Sequence, residues 1–148
     1  MRLIRAGVLT AIVDGLFSTV LVVFFYQSSF ARLFQGVAST LVGPGAIDGG
    51  VGMTTLGVMM HVGVAFSWSA VFLLLVSRSS RLRSAIRSPR GIAAAAAVYG
   101  PCVWVVMSLA VIPLLTGRPP AITVRWWVQF IGHALFVGLP IVASIAGD

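Results

Sequence analysis

Four long apolar runs alternate with short polar connections along this chain of 148 residues. The runs cover about residues 3–26, 51–76, 92–115 and 122–145. A helix needs about 20 apolar residues to cross the hydrocarbon core of a bilayer, and each run is long enough. Strands are excluded, because the runs are too long for barrel strands and four of them could not close a barrel. The pattern predicts an all-α polytopic membrane protein, a four-transmembrane-helix bundle that forms one domain over residues 1–148.

The connection between the first two runs has a helical pattern of its own over about residues 29–42. Its apolar positions recur at spacings of three and four residues and are occupied by Phe30, Leu33, Phe34, Val37, Ala38, Leu41 and Val42. Polar residues such as Arg32 and Gln35 fall on the opposite face, which predicts a short amphipathic helix at the membrane interface. A re-entrant segment, or a lid over the bundle, is the alternative interpretation. Asp48, beyond this helix, is expected to cap the second span.

The arginines predict the orientation of the bundle. All ten basic side chains are arginine, and seven of them lie before the first span or between the second and third. Those seven are Arg2, Arg5, Arg78, Arg81, Arg83, Arg87 and Arg90. The other three, Arg32, Arg118 and Arg125, belong to the opposite side. Because short arginine-rich loops stay in the cytoplasm, both the N-terminus and the C-terminus are predicted to be cytoplasmic.

Composition supports a lipid environment and narrows the chemistry. Hydrophobic residues make up 59% of the chain and charged residues only 9%, which is too few charged residues to form the polar surface of a soluble protein. The lipid bilayer is therefore the expected partner. The net charge of +7 does not indicate nucleic acid, because the arginines cluster beside apolar segments, where they suit phosphate headgroups. Lysine and glutamate are absent, which excludes Schiff-base chemistry and makes an enzyme the least supported class.

Three ionisable side chains lie inside the predicted spans, where such groups are costly and usually face the bundle interior. Asp14, His61 and His133 are about twelve, ten and eleven residues from the outer ends of their spans, which is within about one helical turn of depth. Thr10 and Ser18 share the helix face of Asp14. Cys102 lies at a similar depth and is expected to be an apolar filler. The matching levels predict a polar intramembrane cluster.

Neighbours of the two histidines extend this candidate site. Gly57 and Ala65 flank His61 at four residues on either side, and such small residues let a helix or a flat ligand come close. Gln129 lies one turn outward from His133, and Arg125 lies one turn further. The stripe predicts an access route from the outer surface to the cluster.

Several interpretations of the cluster stay open at this point. Each polar side chain could simply form a hydrogen bond to a neighbouring helix. The functional hypothesis is that Asp14, His61, Gln129 and His133 handle protons or a small solute, since histidine changes charge near neutral pH. A second hypothesis is a haem b protein with His61 and His133 as axial ligands. A third is an accessory structural subunit, in a homo-oligomer or a larger membrane complex.

Short motifs in the last hairpin and in the second span resemble those of the YagU-like family of bacterial inner-membrane proteins. The matching residues are His61, Phe66, Pro113-Leu114, Gly117, Pro119-Pro120, Trp126 and Gly132-His133. The resemblance covers about the last two-thirds of the chain. It implies a four-helix protein of the bacterial inner (cytoplasmic) membrane, with a link to acid tolerance. This chain departs from the family pattern because it has no acidic residue beside the fourth-span histidine.

Overall fold

Helices account for all the regular secondary structure in residues 1–147, which are the residues that the computed structural model describes. In chain order they are α1 (Arg2–Phe25), α2 (Phe30–Val42), α3 (Gly50–Arg78), α4 (Ser80–Ala85), α5 (Pro89–Thr116) and α6 (Val124–Ala146). Four of them, α1, α3, α5 and α6, are long and apolar enough to cross a membrane. The prediction of an all-helical chain with four such helices is confirmed.

The four long helices run antiparallel in sequence order, which gives the bundle two different ends. One end carries the start of α1, the α3–α5 connection with α4, and the end of α6; we call it the arginine end because of its seven arginines. The opposite end carries α2 and the α5–α6 connection, and we call it the α2 end. α1 packs against α3 and α6, and α5 packs against α6.

The buried apolar core lies in the half of the bundle near the arginine end. Its fully buried members include Phe72, Ile141, Val142 and Ile145. The Tyr99 hydroxyl donates a hydrogen bond of 2.7 Å to the carbonyl of Trp68, which joins α3 to α5 in this half. Tight packing of branched and aromatic side chains closes this half of the bundle.

Three segments of the long helices are wider π-helical turns, at Leu21–Phe25, Met107–Val111 and Ala134–Gly138. The second and third come shortly before Pro113 and Pro140. Proline lacks an amide hydrogen, so the carbonyl four residues earlier loses its usual partner and the turn widens. One of these segments begins directly after His133, which ties the local widening to the candidate site.

The helix predicted between the first two spans forms and packs onto α3. The Ser29 hydroxyl accepts a hydrogen bond from the amide of Arg32 at its start, and Gly43 ends it with a φ of 93°, which favours glycine. Phe34, Gln35 and Ala38 are buried. A Cβ at Gly57 would lie 1.8 Å from the carbonyl oxygen of Phe34, so the two helices touch through their backbones.

The expectation that Asp48 caps α3 is wrong. The residue before α3 is Gly49, with no side-chain cap, and Asp48 instead lies 3.4 Å from the Arg32 guanidinium. A 3₁₀ turn over Pro44–Asp48 includes Asp48 itself, so its backbone cannot adopt the extended conformation that a capping residue needs. The ion pair is largely exposed and contributes little to stability.

Two arginines of the arginine end bind the last carbonyl groups of helices. Arg5 donates from Nη2 to the carbonyls of Ser144 and Gly147, at the end of α6. Arg83 donates to the carbonyls of Val76 and Ser77, at the end of α3. These carbonyls have no partner within their own helices, and a cation also suits the negative end of the helix dipole.

Candidate functional site

The structure brings Asp14, His61 and His133 together in the middle of the bundle. The Asp14 Oδ2 atom lies 3.9 Å from Nδ1 of His61, and Asp14 is also within electrostatic range of His133. The side chains of Asp14 and His61 are only 15% and 17% exposed, and His133 is buried. A carboxyl group and two imidazoles therefore share one shielded region, contributed by α1, α3 and α6.

Main-chain carbonyls define which nitrogen of each imidazole carries a hydrogen. His61 Nε2 lies 3.0 Å from the carbonyl oxygen of Ala11, and His133 Nδ1 lies 2.8 Å from that of Gln129. A carbonyl oxygen can only accept, so both of these nitrogens must donate. The neutral form of each ring then has its second nitrogen unprotonated: Nδ1 of His61, which faces Asp14, and Nε2 of His133.

Close packing holds the His61 ring in this orientation. Its edge contacts the Phe34 ring, with centroids 5.7 Å apart. A Cβ at Gly15 would lie 3.3 Å from His61 Nε2, so the absence of a side chain there makes room for the imidazole beside α1. The small residue Gly57 lets α2 approach α3, and Ala65 is buried one turn beyond His61 on α3.

His133 is positioned by contacts between α5 and α6. A Cβ at Gly100 would lie 1.9 Å from the His133 carbonyl oxygen, so α5 and α6 touch through their backbones at this residue. The Trp104 ring covers the imidazole at a centroid distance of 4.9 Å. On the α1 side, Phe17 stacks on Phe136 at 4.1 Å.

Four buried polar atoms around this cluster have no hydrogen-bond partner within residues 1–147. They are Thr10 Oγ1, Asp14 Oδ1, Trp104 Nε1 and Gln129 Oε1. An unsatisfied buried group costs about 1–3 kcal/mol, and such groups commonly bind water or a ligand. Two of them are on α1, at Asp14 itself and one turn away at Thr10, and two belong to residues that contact His133. Unmet hydrogen-bonding capacity is therefore concentrated where the ionisable groups are.

A cleft of about 440 Å³ opens at the α2 end and leads toward His133. Gln129 and Trp104 lie at its inner side, and Arg125 and Arg118 lie nearer its mouth. The Arg125 guanidinium stacks on the Tyr26 ring at 4.0 Å. Of the stripe inferred from sequence, Arg125 and Gln129 thus line this cleft, and His133 lies one helical turn beyond Gln129.

Sequence reasoning missed the α5 side of the cleft. Trp104, Ser108 and Ile112 line it, and the Ser108 hydroxyl accepts a hydrogen bond of 2.9 Å from the Trp126 indole. A tryptophan far inside an apolar run was the available signal, because an indole N–H in lipid needs a partner. Of the other sequence candidates, Ser18 is half-buried on α1, whereas Cys102 is exposed on the outside of the bundle and takes no part.

The described side chains include no cluster of three or more His, Cys, Asp or Glu residues that could hold a metal ion. A haem would have to use ring nitrogens of His61 and His133. Histidine most often binds haem iron through Nε2, but Nε2 of His61 forms a hydrogen bond with the Ala11 carbonyl. The haem hypothesis stays a prediction from sequence.

Fold and site define a class: a small all-helical protein with four helices able to cross a membrane and a shielded carboxyl–imidazole cluster. No family model, curated protein or solved structure matches the chain. The resemblance to YagU-like proteins therefore stays a prediction from short motifs.

Proposed function

We propose that this protein is an integral protein of the bacterial inner membrane, with α1, α3, α5 and α6 spanning the bilayer and both termini in the cytoplasm. The outward faces of these helices support insertion, because they expose large apolar side chains such as Val8, Leu16, Val98, Ile131 and Leu135. In water such a surface would cause aggregation, whereas lipid solvates it. The seven arginines at one end support the orientation.

Reporter fusions test this topology. A fluorescent protein that folds only in the cytoplasm, fused to the C-terminus, should fluoresce, whereas alkaline phosphatase fused there should be inactive. The same two reporters placed after Arg118, in the α5–α6 connection, should give the opposite pattern. Active phosphatase at the C-terminus would contradict the proposed orientation.

Within the membrane, we propose that the Asp14–His61–His133 cluster takes up and passes on protons, or a small solute carried with them. The main support is that one nitrogen of each imidazole is hydrogen-bonded to a main-chain carbonyl, which leaves the other nitrogen available to accept a proton. Asp14, close to both rings, supplies a third protonation site.

The chemistry is a set of proton transfers between these groups. The unprotonated Nε2 of His133 accepts a proton arriving through the cleft, and Asp14 accepts one from that imidazolium. His61 Nδ1 faces Asp14 with a lone pair, so the pair is most stable when one proton lies on one of the two. At 3.9 Å the pair is too far apart for a direct hydrogen bond, so transfer requires a small approach or a bridging water.

A flux assay in proteoliposomes tests this proposal. The purified chain would be reconstituted with a pH-sensitive dye inside the vesicles, and proton entry would follow an imposed pH gradient. Asp14→Asn keeps the size of the side chain but cannot exchange a proton, and we expect it to lower flux at least about tenfold. His133→Ala should have a similar effect.

Asp48→Asn is the matched control, because it removes an exposed carboxylate that pairs with Arg32, outside the cluster. Its flux should equal that of the wild type. If Asp14→Asn also conducts like the wild type, the cluster is not the route. If no variant exceeds empty vesicles and the wild type does not either, proton passage by this chain is refuted.

A further inference from the structure

The cleft at the α2 end combines positive charge with an apolar lining. Arg118 and Arg125 both line it, and among the described residues neither has a carboxylate partner. Six of the sixteen lining residues are aromatic or proline, among them Trp104, Trp126 and Pro113, and five are serine or threonine. The volume, about 440 Å³, falls within the range of about 300–1,000 Å³ typical of small-molecule sites. A small anion with an apolar body matches both features.

The inner side of the cleft adds a directional requirement. Trp104 Nε1 can only donate a hydrogen bond, Gln129 Oε1 can only accept one, and both are buried without a partner. A carboxylate oxygen would accept from the indole. A protonated carboxyl group would in addition donate its hydroxyl hydrogen to the Gln129 oxygen. The protonated acid therefore satisfies both atoms, and the carboxylate satisfies the indole N–H.

We infer that this cleft binds a small monocarboxylic acid with an apolar or aromatic body. The carboxyl group lies at the Trp104–Gln129 side and the arginines attract its anionic form from outside. The inference rests on the proposed function and deepens it, because it names the solute that would travel with the proton. His133 contacts both residues that would hold the carboxyl group. Its Nδ1 donates a hydrogen bond to the Gln129 carbonyl, and its ring contacts the Trp104 ring.

Direct binding tests the inference without any transport. The full chain would be placed in nanodiscs of phosphatidylcholine, which has no net charge, and titrated with sodium benzoate by calorimetry. We expect saturable binding of one benzoate per chain. Benzyl alcohol has the same ring without the carboxylate and should bind at least about tenfold more weakly. Inorganic phosphate should not displace benzoate, because it cannot use the apolar walls.

Two substitutions remove one recognition element each. Trp104→Phe keeps the aromatic ring but removes the N–H donor, and Arg125→Gln removes an exposed charge, so it is not expected to disturb folding. Trp104→Phe removes a hydrogen bond to a charged group and Arg125→Gln removes an attracting charge, so each change should weaken benzoate binding about tenfold. Trp68→Phe and Arg32→Gln are the matched controls outside the cleft and should bind within about twofold of the wild type.

The inference would be overturned by no saturable benzoate binding, by equal affinity for benzyl alcohol, or by unchanged binding in both Trp104→Phe and Arg125→Gln. Displacement by phosphate at equal concentration would also overturn it, since the arginines alone would then select the ligand, as for a lipid headgroup. The two proposals fail separately. Benzoate binding without proton flux would refute the proposed function only, and flux without benzoate binding would refute this inference only.

Discussion

Replacing Gly100 with alanine should separate α5 from α6 at His133. The added Cβ would lie 1.9 Å from the carbonyl oxygen of His133 and 2.5 Å from its carbonyl carbon. Real Cβ contacts essentially never fall below 3.0 Å, so the helices must move apart by about 1.1 Å at this residue. The obstacle is backbone on both sides, so no side-chain rotation relieves it. Overpacking of this kind costs about 1–3 kcal/mol.

The Gly63→Ala variant is the control for this prediction. Gly63 lies inside α3 and has nothing within 4 Å of a built Cβ. The same chemical change there should leave stability unchanged or raise it slightly, since alanine favours helix over glycine. Thermal unfolding of both variants in the same detergent, followed by circular dichroism, measures the difference. If Gly100→Ala unfolds at the same temperature as Gly63→Ala, the close contact between α5 and α6 is refuted.

Three further predictions concern the contacts that hold the two ends of the bundle. Arg5→Gln removes the cation from the last carbonyls of α6 and should lower the free energy of unfolding by about 1 kcal/mol, measured by denaturant titration, whereas Arg81→Gln should not. Ser108→Ala leaves the buried Trp126 N–H without its acceptor and should cost about 1–3 kcal/mol in the same titration, part of which the double variant with Trp126→Phe should recover. Gly57→Ala should push α2 off α3 and speed trypsin cleavage after Arg32, seen by gel electrophoresis, and cleavage at the wild-type rate would contradict the packing described.

The long helices could be predicted from sequence because an apolar run of this length can satisfy its backbone hydrogen bonds in lipid only as a helix. The observed ends differ from the predicted spans by at most three residues, as in the third helix, which begins at Pro89 instead of residue 92. Equal depth, together with the cost of exposing an ionisable group to lipid, was enough to anticipate that Asp14, His61 and His133 lie near one another. Rise per residue sets depth, and depth needs no knowledge of which helices are neighbours.

Contacts that depend on helix packing could not be predicted in this way. The pattern in residues 29–42 showed two faces of a helix but not what would cover the apolar face, and the structure covers it with α3. Likewise Arg5 was interpreted through membrane topology alone, although its hydrogen bonds join the two ends of the chain. Asp48 shows why a helix-capping residue is difficult to predict from sequence. A single extra 3₁₀ turn changes which residue directly precedes the helix.

The two halves of the bundle differ in a way that bears on transport. Toward the α2 end a cleft reaches the neighbours of His133, whereas toward the arginine end Phe72, Ile141 and Ile145 are almost fully buried and close the path. A carrier that exposes its site to one side at a time needs one half open and the other closed. Passage would then require α6 to move against α5, and the π-helical turn at Ala134–Gly138, just before Pro140, is where the regular α6 hydrogen-bond ladder is interrupted. Because this turn leads from His133 into the closed core at Val137 and Ile141, bending there would open the arginine end only by separating Gly138 from the Ala96 carbonyl, which a Cβ at Gly138 would approach to 2.3 Å.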